Sequence, residues 1–324
     1  MKFLIFSLII FLRVCNGFYI PLANSPSISK IAKSIKLADS TVVLARNSTG
    51  HVIGFHDHCP HRGASFDKVT LENDDSVSCL YHGFTFNTQD GKLESGLGVK
   101  PECSSLKMID CMEKNGLVWG CIDGDDEIKP PQELEEMNDP TFRKISGSVL
   151  VKCPVEPLIE NILDILHLHK VHSFGNRIDP EPLNYKASKV SDTRGIATFQ
   201  YNTGKTSLFN GVADVTNLYE IPCTAVTRVR SGKNVKIVRV HAVKLPGGYT
   251  KVFWELYRNW WTGHFMDSFF GLAMNITLNE DREILEKCNF EKDYKFHGRY
   301  DKLQLLYRRS LLLKKRLIDV RNSQ

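Results

Sequence analysis

The sequence predicts an α+β fold class in two consecutive parts: an all-β domain, and after it an α+β domain in which an antiparallel sheet carries helices. Three observations support this prediction. Short runs of β-branched and aromatic residues, separated by turn residues, fill the chain up to about residue 122. An acidic, proline-containing stretch follows. Beyond it, strand-like runs and helical stretches lack the regular βαβ alternation of a parallel sheet.

Composition sets the broad class of the protein. Of the 324 residues, 42% are hydrophobic, which is enough apolar material for two modest cores. The 42 Lys and Arg against 37 Asp and Glu are too evenly balanced for a dedicated nucleic-acid binder, so we expect no nucleic-acid partner. Nine cysteines are too few and too scattered for a disulfide framework, so some of them must have another role.

The chain is predicted to open with a signal peptide over residues 1–17. Lys2 precedes an apolar run from Phe3 to Leu12, which is too short to span a bilayer. Cleavage is expected near Gly17.

The remaining chain divides into three predicted segments: an all-β domain over residues 18–122, a linker over 123–146 and a catalytic domain over 147–324. The all-β domain should contain a hairpin formed by residues 41–45 and 51–55, and a last strand over 116–122. The catalytic domain should contain the following elements: a strand over 147–153, a helix over 156–172, strands over 235–240 and 251–256, and helical sequence from 265 onward.

Two short segments each bring one cysteine and one histidine, Cys59-Pro60-His61 and Cys79-Leu80-Tyr81-His82. Such a set could bind zinc, or hold a [2Fe-2S] cluster with two cysteines on one iron and two histidines on the other. Zinc modules usually pair their cysteines in one loop, whereas each loop here supplies one ligand of each kind. This division favours the cluster, and Gly63 and Gly83 would allow the backbone to approach it closely.

The segment resembles a Rieske [2Fe-2S] domain. Rieske proteins of the respiratory complexes carry an extra cysteine in each loop, and the two form a disulfide; Ala64 and Tyr81 stand in those places here. The resemblance is therefore to the ferredoxin and oxygenase branch. It implies one [2Fe-2S] cluster held by four ligands: Cys59, His61, Cys79 and His82.

Polar residues recur three apart further along the chain. Asn161, Asp164 and His167 would share one face of the predicted helix, and ionisable groups on a buried face need a reason to be there. A chance cluster of surface histidines is the alternative. Together with the upstream cluster, the pattern Asp-x-x-His-x-x-x-x-His resembles the Rieske non-haem iron oxygenase family, in which two histidines and one carboxylate hold Fe(II) and leave positions open for dioxygen.

The resemblance implies roles for these residues. His167 and His172 would bind one mononuclear Fe(II), with His169 as the rival ligand because it also pairs with His172 at helical spacing. Asp164 matches the acidic residue that bridges the metal sites of neighbouring subunits, and Asn161 is placed with it in the catalytic group.

The third iron ligand should come from the closing helix. The segment Leu278-Asn279-Glu280-Asp281 matches the late Glu-Asp segment of the family, which makes Asp281 the expected ligand. Glu280 and Glu283 are the alternatives, each otherwise part of a solvated helix face.

The C-terminal region suggests a branch of the family. The segment that contains Asp281, with Tyr300-Asp301-Lys302-Leu303 and Tyr307-Arg308, looks like the chlorophyllide a oxygenase and pheophorbide a oxygenase group, which acts on chlorins. The Cys-x-x-Cys of the pheophorbide enzymes is missing, since only Cys288 occurs there. The resemblance implies oxidation of a large apolar substrate, a chlorin of chlorophyll metabolism. A sterol oxygenase or desaturase, and a Rieske electron carrier without oxygenase activity, are the alternatives.

The same resemblance implies partners and a compartment. It implies O2, a large apolar small-molecule substrate, a ferredoxin or ferredoxin reductase as electron donor, and a head-to-tail homotrimer, with association at a membrane surface as a further expectation. The location implied is the plastid, reached through the N-terminal signal, with the endoplasmic-reticulum membrane as the alternative. An aromatic-rich stretch from Tyr257 to Phe270 is either core or a wall of the substrate pocket.

Overall fold

The computed structural model describes residues 16–72, 75–98, 104–173, 175–203, 211–290 and 297–322. The N-terminal part contains ten strands in these residues: β1 (Asn16–Asn24), β2 (Lys33–Lys36), β3 (Thr41–Arg46), β4 (Val52–His56), β5 (Ser76–Ser78), β6 (Thr85–Asn87), β7 (Leu93–Ser95), β8 (Met108–Lys114), β9 (Leu117–Cys121) and β10 (Asp123–Ile128). Most of the predicted signal peptide, residues 1–15, lies outside the described residues.

These strands form two sheets. Seven strands follow the order β10-β1-β9-β8-β4-β3-β2, and β5, β6 and β7 form a small three-stranded sheet. The predicted hairpin is present, because β3 and β4 pair antiparallel. The strand β10 lies in the segment predicted as a linker, and it pairs in parallel with β1.

The C-terminal part contains seven strands and four helices in the described residues: β11 (Arg143–Val151), α1 (Val155–Leu163), α2 (Leu168–Val171), β12 (Leu183–Lys189), β13 (Arg194–Asn202), β14 (Val212–Glu220), β15 (Thr224–Ser231), β16 (Asn234–Lys244), β17 (Thr250–Arg258), α3 (Phe265–Leu285) and α4 (Lys302–Asn322). The sheet is antiparallel, in the order β11-β17-β16-β15-β14-β13-β12. The predicted fold class, an all-β part followed by an α+β part, is confirmed. The strand expected from Gly147 begins at Arg143.

The two faces of the second sheet are both covered. On one face, Val235, Ile237 and Tyr257 pack with Leu134 and Met137 from the segment before β11. On the other face, α1 and α3 lie over the sheet. The helix α3 turns a regularly spaced stripe of buried residues toward it: Phe270, Met274, Leu278, Asp281 and Leu285. Asp281 is thus a carboxylate in an otherwise apolar stripe.

The two parts of the chain share contacts. The ring of Trp119, from β9, lies 4.8 Å from that of His241, from β16. Lys144 Nζ donates a hydrogen bond to the carbonyl of Asn115 at 2.8 Å. Within the described residues, no helix combines the length and the hydropathy needed to cross a bilayer.

Candidate metal centres and substrate cavity

The two predicted cluster loops have the same backbone geometry. In each, the glycine N–H donates to the carbonyl of the cysteine, Gly63 to Cys59 and Gly83 to Cys79, both at 2.8 Å. Both glycines have φ of +72°, in the left-handed region that favours glycine. A Cβ at either would meet nothing within 4 Å. The left-handed turn conformation by itself favours glycine at both positions.

The four predicted cluster ligands divide into two buried thiols and two exposed rings. Cys59 and Cys79 are buried, whereas the rings of His61 and His82 are exposed with their Nδ1 atoms 3.2 Å apart. Burial, and then the neighbouring thiol of Cys79, raise the pKa of Cys59. This donor set fits a [2Fe-2S] cluster whose histidine-bound iron faces the surface.

Single-ion geometry is found elsewhere in the chain. Among the described residues, His167, His172 and Asp281 form a group whose donor atoms all lie within 4.8 Å of one another. Three such donors from His, Cys, Asp or Glu can hold a single metal ion. The four ligands of the loops do not form such a group. Because no three of these donors lie within 4.8 Å of one another, the set suits a cluster with two irons better than one zinc ion.

Cluster ligation makes a spectroscopic prediction. Reconstituted protein should show the lowered average g value of mixed Cys and His ligation, and Cys79→Ala should lose the cluster because a thiolate ligand is removed. Electron paramagnetic resonance and iron analysis measure both. Cys111→Ala is the matched control, since burial raises the pKa of this thiol to about 12 and it lies outside the loops. An all-cysteine signal, or stoichiometric zinc, would refute the assignment.

The predicted mononuclear site is a triangle of donor atoms. His167 Nε2 and His172 Nε2 are 3.1 Å apart, and Asp281 Oδ1 lies 3.3 Å from the first and 3.4 Å from the second. All three side chains are largely withdrawn from solvent. Two imidazoles and one carboxylate on one side of a metal are the donors of non-haem Fe(II) sites, so this set fits a mononuclear iron.

Each donor residue has an outer polar neighbour. Glu280 Oε2 is 2.9 Å from His172 Nδ1, and Asn161 Nδ2 donates to Asp281 Oδ1 at 2.9 Å. Asp164 Oδ2 lies 3.6 Å from His167 Nδ1. Such partners fix the orientation of metal ligands. Glu280, predicted as an alternative ligand, thus contacts the far side of His172, while Glu283 is exposed.

The neighbouring groups shift the pKa of each of the three donor residues. Burial disfavours a charged imidazole, yet the neighbouring carboxylates of Asp164 and Asp281 raise the pKa of His167 to about 9. Burial lowers the pKa of His172. Burial alone would raise the pKa of Asp281, but the two neighbouring histidines outweigh it and lower this pKa. This pKa favours a proton on His167, which a metal ion bound here would displace.

The segment that carries the histidines is not the continuous helix that was predicted. The helix α1 ends at Leu163, because Asp164 adopts an extended backbone (φ −72°, ψ 138°) and its Oδ1 accepts the N–H of Leu166 at 2.8 Å. The break brings His167 and His172 to face each other. His169 Nδ1 contacts the carbonyl of Leu166 instead, outside the triangle.

A cavity of about 190 Å³ opens beside the triangle. Its wall is mostly apolar and comes from the sheet and from α3, with Phe199, Val215, Val238, Met274 and Leu278 among its residues. Both histidines and Asp281 also line it. A molecule in this cavity would lie directly against the donor atoms.

The aromatic-rich stretch does not form the cavity wall, contrary to one of the two expectations. Tyr257 and Phe270 are buried in the core, whereas Trp261, Phe265 and Phe269 are exposed at 53%, 81% and 45%. The cavity is lined by alternate residues of β13–β16, which were not predicted. Lys236 is among them. Its spacing of two residues from Val238 could have indicated that both side chains lie on the same face of the strand.

Comparison with known proteins agrees with this geometry. Residues 19–109 match the family of the Rieske [2Fe-2S] domain. The chain is 27% identical over 211 residues to the iron-sulfur subunit TsaM1 of the toluene-4-sulfonate monooxygenase system of Comamonas testosteroni. The aligned region covers 60% of each protein. The match thus spans less than two thirds of that relative.

Two further relatives match a smaller share of this chain, and their names mention a sterol and a chlorin. Cholesterol 7-desaturase of Caenorhabditis elegans is 27% identical over 167 residues, 48% of this chain and 38% of that protein. Chlorophyllide a oxygenase of Arabidopsis thaliana is 28% identical over 133 residues, 40% of this chain and 24% of that protein.

Solved structures share the fold over most of the chain. NdmA of Pseudomonas putida with theobromine superposes with a TM-score of 0.77 at 19% identity, covering 91% of this chain and 89% of that one. Apo dicamba monooxygenase gives a TM-score of 0.76 at 16% identity, covering 96% and 100%. The chain therefore contains a Rieske domain, its relatives are Rieske oxygenases, and its cofactors are a [2Fe-2S] cluster and a mononuclear iron.

Proposed function

We propose that the protein is a Rieske oxygenase, an oxidoreductase that uses O2 to hydroxylate or demethylate an apolar organic substrate. The observation that carries this proposal is the triangle of His167, His172 and Asp281 in the wall of an apolar cavity, in a chain that also holds the four Rieske ligands. When bound, the iron and the cluster supply O2 activation and electrons.

The residues of the chain provide the setting for that chemistry. His167, His172 and Asp281 present three donors on one side and leave the cavity side open. Glu280 and Asn161 hold the orientation of two of them. The apolar wall excludes water and orients the substrate. An electron carrier would need only the Rieske loops. That alternative does not explain why two histidines and a carboxylate converge beside the cavity.

Iron analysis and nitric oxide binding test the proposal. Loaded protein should contain about three irons per chain, two in the cluster and one mononuclear. Nitric oxide added to the reduced protein should give a high-spin ferrous-nitrosyl signal, because the three protein ligands leave coordination positions open. About two irons per chain, with no such signal, would favour the electron carrier.

Within this class, the proposed substrate is a chlorin, with a sterol as the alternative. The partial similarity to chlorophyllide a oxygenase supports the first, and that to cholesterol 7-desaturase supports the second. Reduced protein incubated with O2 and either chlorophyllide a or cholesterol should convert one and not the other, and mass spectrometry distinguishes a gain of oxygen from a loss of two hydrogens. The plastid remains the proposed location, with the endoplasmic-reticulum membrane as the alternative, and a fluorescent fusion would test it.

The proposed partners are a ferredoxin or ferredoxin reductase as electron donor and two further copies of the chain. The exposed rings of His61 and His82 support docking at the cluster edge. Association with a membrane surface is supported by exposed apolar residues spaced along one face of α3, namely Phe265, Phe269, Leu272 and Ile276.

The proposed trimer gives Asp164 a testable role. Its side chain is 32% exposed and lies 3.6 Å from the ring of His167, so it can contact both a metal ligand and a neighbouring subunit. Asp164→Asn should leave both metal sites filled, yet lower turnover by about a hundredfold, a loss typical of removing a partner of a metal ligand. Single-turnover product analysis measures this. Unchanged turnover, or an active monomer by light scattering, would contradict the proposed role.

A further inference from the structure

One lysine lies in the wall of the otherwise apolar cavity. Lys236 is on the same face of β16 as Val238 and Val240, and all three line the cavity. The alternate residues Val235 and Ile237 are buried on the opposite face of the sheet. The register of the strand therefore fixes this lysine on the cavity side.

Three cations follow one another across the sheet at this level. Arg143 of β11 pairs with Arg258 of β17, and Arg258 pairs with Lys236 of β16. Like charges directly opposite each other in a sheet are destabilising, so the row requires negative charge nearby. Asp267, in the first turn of α3, supplies it to the two arginines: Oδ2 is 2.6 Å from Arg143 Nη2, and Oδ1 is 2.6 Å from Arg258 Nη2.

Lys236 has no equivalent partner. Among the described residues, no carboxylate lies within ion-pair distance of its Nζ, and burial alone lowers its pKa. The one carboxylate near this row thus pairs with the two arginines, and the cation without a partner is the one in the cavity. An ammonium in an apolar wall is costly unless an anion pairs with it.

The register of the strands and the length of α3 separate the lysine from Asp281. Along β16, the lining residues Lys236 and Val240 are about 13 Å apart at about 3.3 Å per residue. Along α3, Asp267 marks the level of the arginine row, and Asp281 follows about 21 Å later at about 1.5 Å per residue. A molecule that reaches both Lys236 and Asp281 would be elongated.

We infer that the cavity takes an apolar molecule with an anionic carboxylate or sulfonate group, which pairs with Lys236 while the apolar body extends toward the metal ligands. This inference rests on the proposed function and names its substrate class. The anion would replace the missing partner of the lysine, and it would point away from the reacting end. A neutral sterol would leave the ammonium unpaired.

Calorimetric titration with a matched pair of probes tests the inference. The probes are 2-naphthoate and 2-naphthamide, which have nearly the same shape and differ in charge. Iron-loaded wild-type protein should bind the carboxylate at least about tenfold more tightly than the amide. Lys236→Met should bind both alike, and Lys236→Arg should retain the preference. Lys233→Met, an exposed lysine in the adjacent turn, is the matched control and should behave as wild type.

The outcomes separate this inference from the proposed function. Equal affinity for the two probes in wild type, an undiminished preference in Lys236→Met, or no binding of either probe would each overturn the inference. Because binding is measured without turnover, a protein that shows the preference but lacks the nitrosyl signal would refute the oxygenase and keep the anion site. The nitrosyl signal with equal probe affinities would do the reverse.

Discussion

Alanine at His167, at His172 or at Asp281 is expected to remove the mononuclear iron and leave the visible spectrum of the cluster intact. Each residue supplies one of the three donor atoms, which lie 3.1–3.4 Å from one another. With two protein ligands left, the site no longer holds the metal, and iron should fall from about three to about two atoms per chain. Turnover should be lost with it. Iron analysis beside the visible and circular dichroism spectra measures the loss.

His169→Ala is the matched control for these variants. The residue lies in the same short segment, but its Nδ1 contacts the carbonyl of Leu166 rather than the donor triangle. It should retain the third iron and most of the turnover. If His169→Ala emptied the site while His167→Ala did not, the ligand pair would have to be reassigned to His169 and His172.

The metal sites illustrate what sequence spacing can predict. Cys59, His61, Cys79 and His82 lie on short loops whose local turns bring each Cys beside its His, so the motif carries most of the geometry. His167 and His172 meet Asp281 only in the tertiary structure, because more than a hundred residues separate them in the sequence. The resemblance supplied that pairing, and periodicity could not have.

Two features escaped the sequence for physical reasons. Helical spacing suggested one helix through Asp164, but its carboxylate competes for the N–H of Leu166 and ends α1 at Leu163. For β16 the sequence indicated a strand without indicating what covers each face, and the structure shows that both faces are covered. The cavity position of Lys236 therefore became visible only through strand register.

Asp267→Asn is expected to destabilise the folded protein by about 2 kcal/mol, within the range for losing a hydrogen bond between charged groups, because only Arg258 of the three side chains is fully buried. The carboxylate lies 2.6 Å from both Arg143 and Arg258, and the side chain of Arg258 is fully buried. Asparagine would leave this guanidinium without a counter-ion, next to Arg143 and Lys236 in the same row. Urea unfolding, read from the midpoint at constant slope, measures the change.

The pH dependence of that loss distinguishes charge pairing from simple packing. Hydrogen bonds from Arg143 and then from Arg258 lower the pKa of Asp267 to about 2, from an ordinary value near 4. Its stabilisation is therefore complete above about pH 5 and declines as the pH falls toward 2, so the gap between wild type and Asp267→Asn should narrow over that range. Asp192→Asn is the control: Asp192 pairs with Lys189 on the surface, where solvent screens the pair, so this variant should leave the urea midpoint nearly unchanged. Equal losses in the two variants, or a gap that is constant with pH, would show that the cation row does not depend on the charge of Asp267.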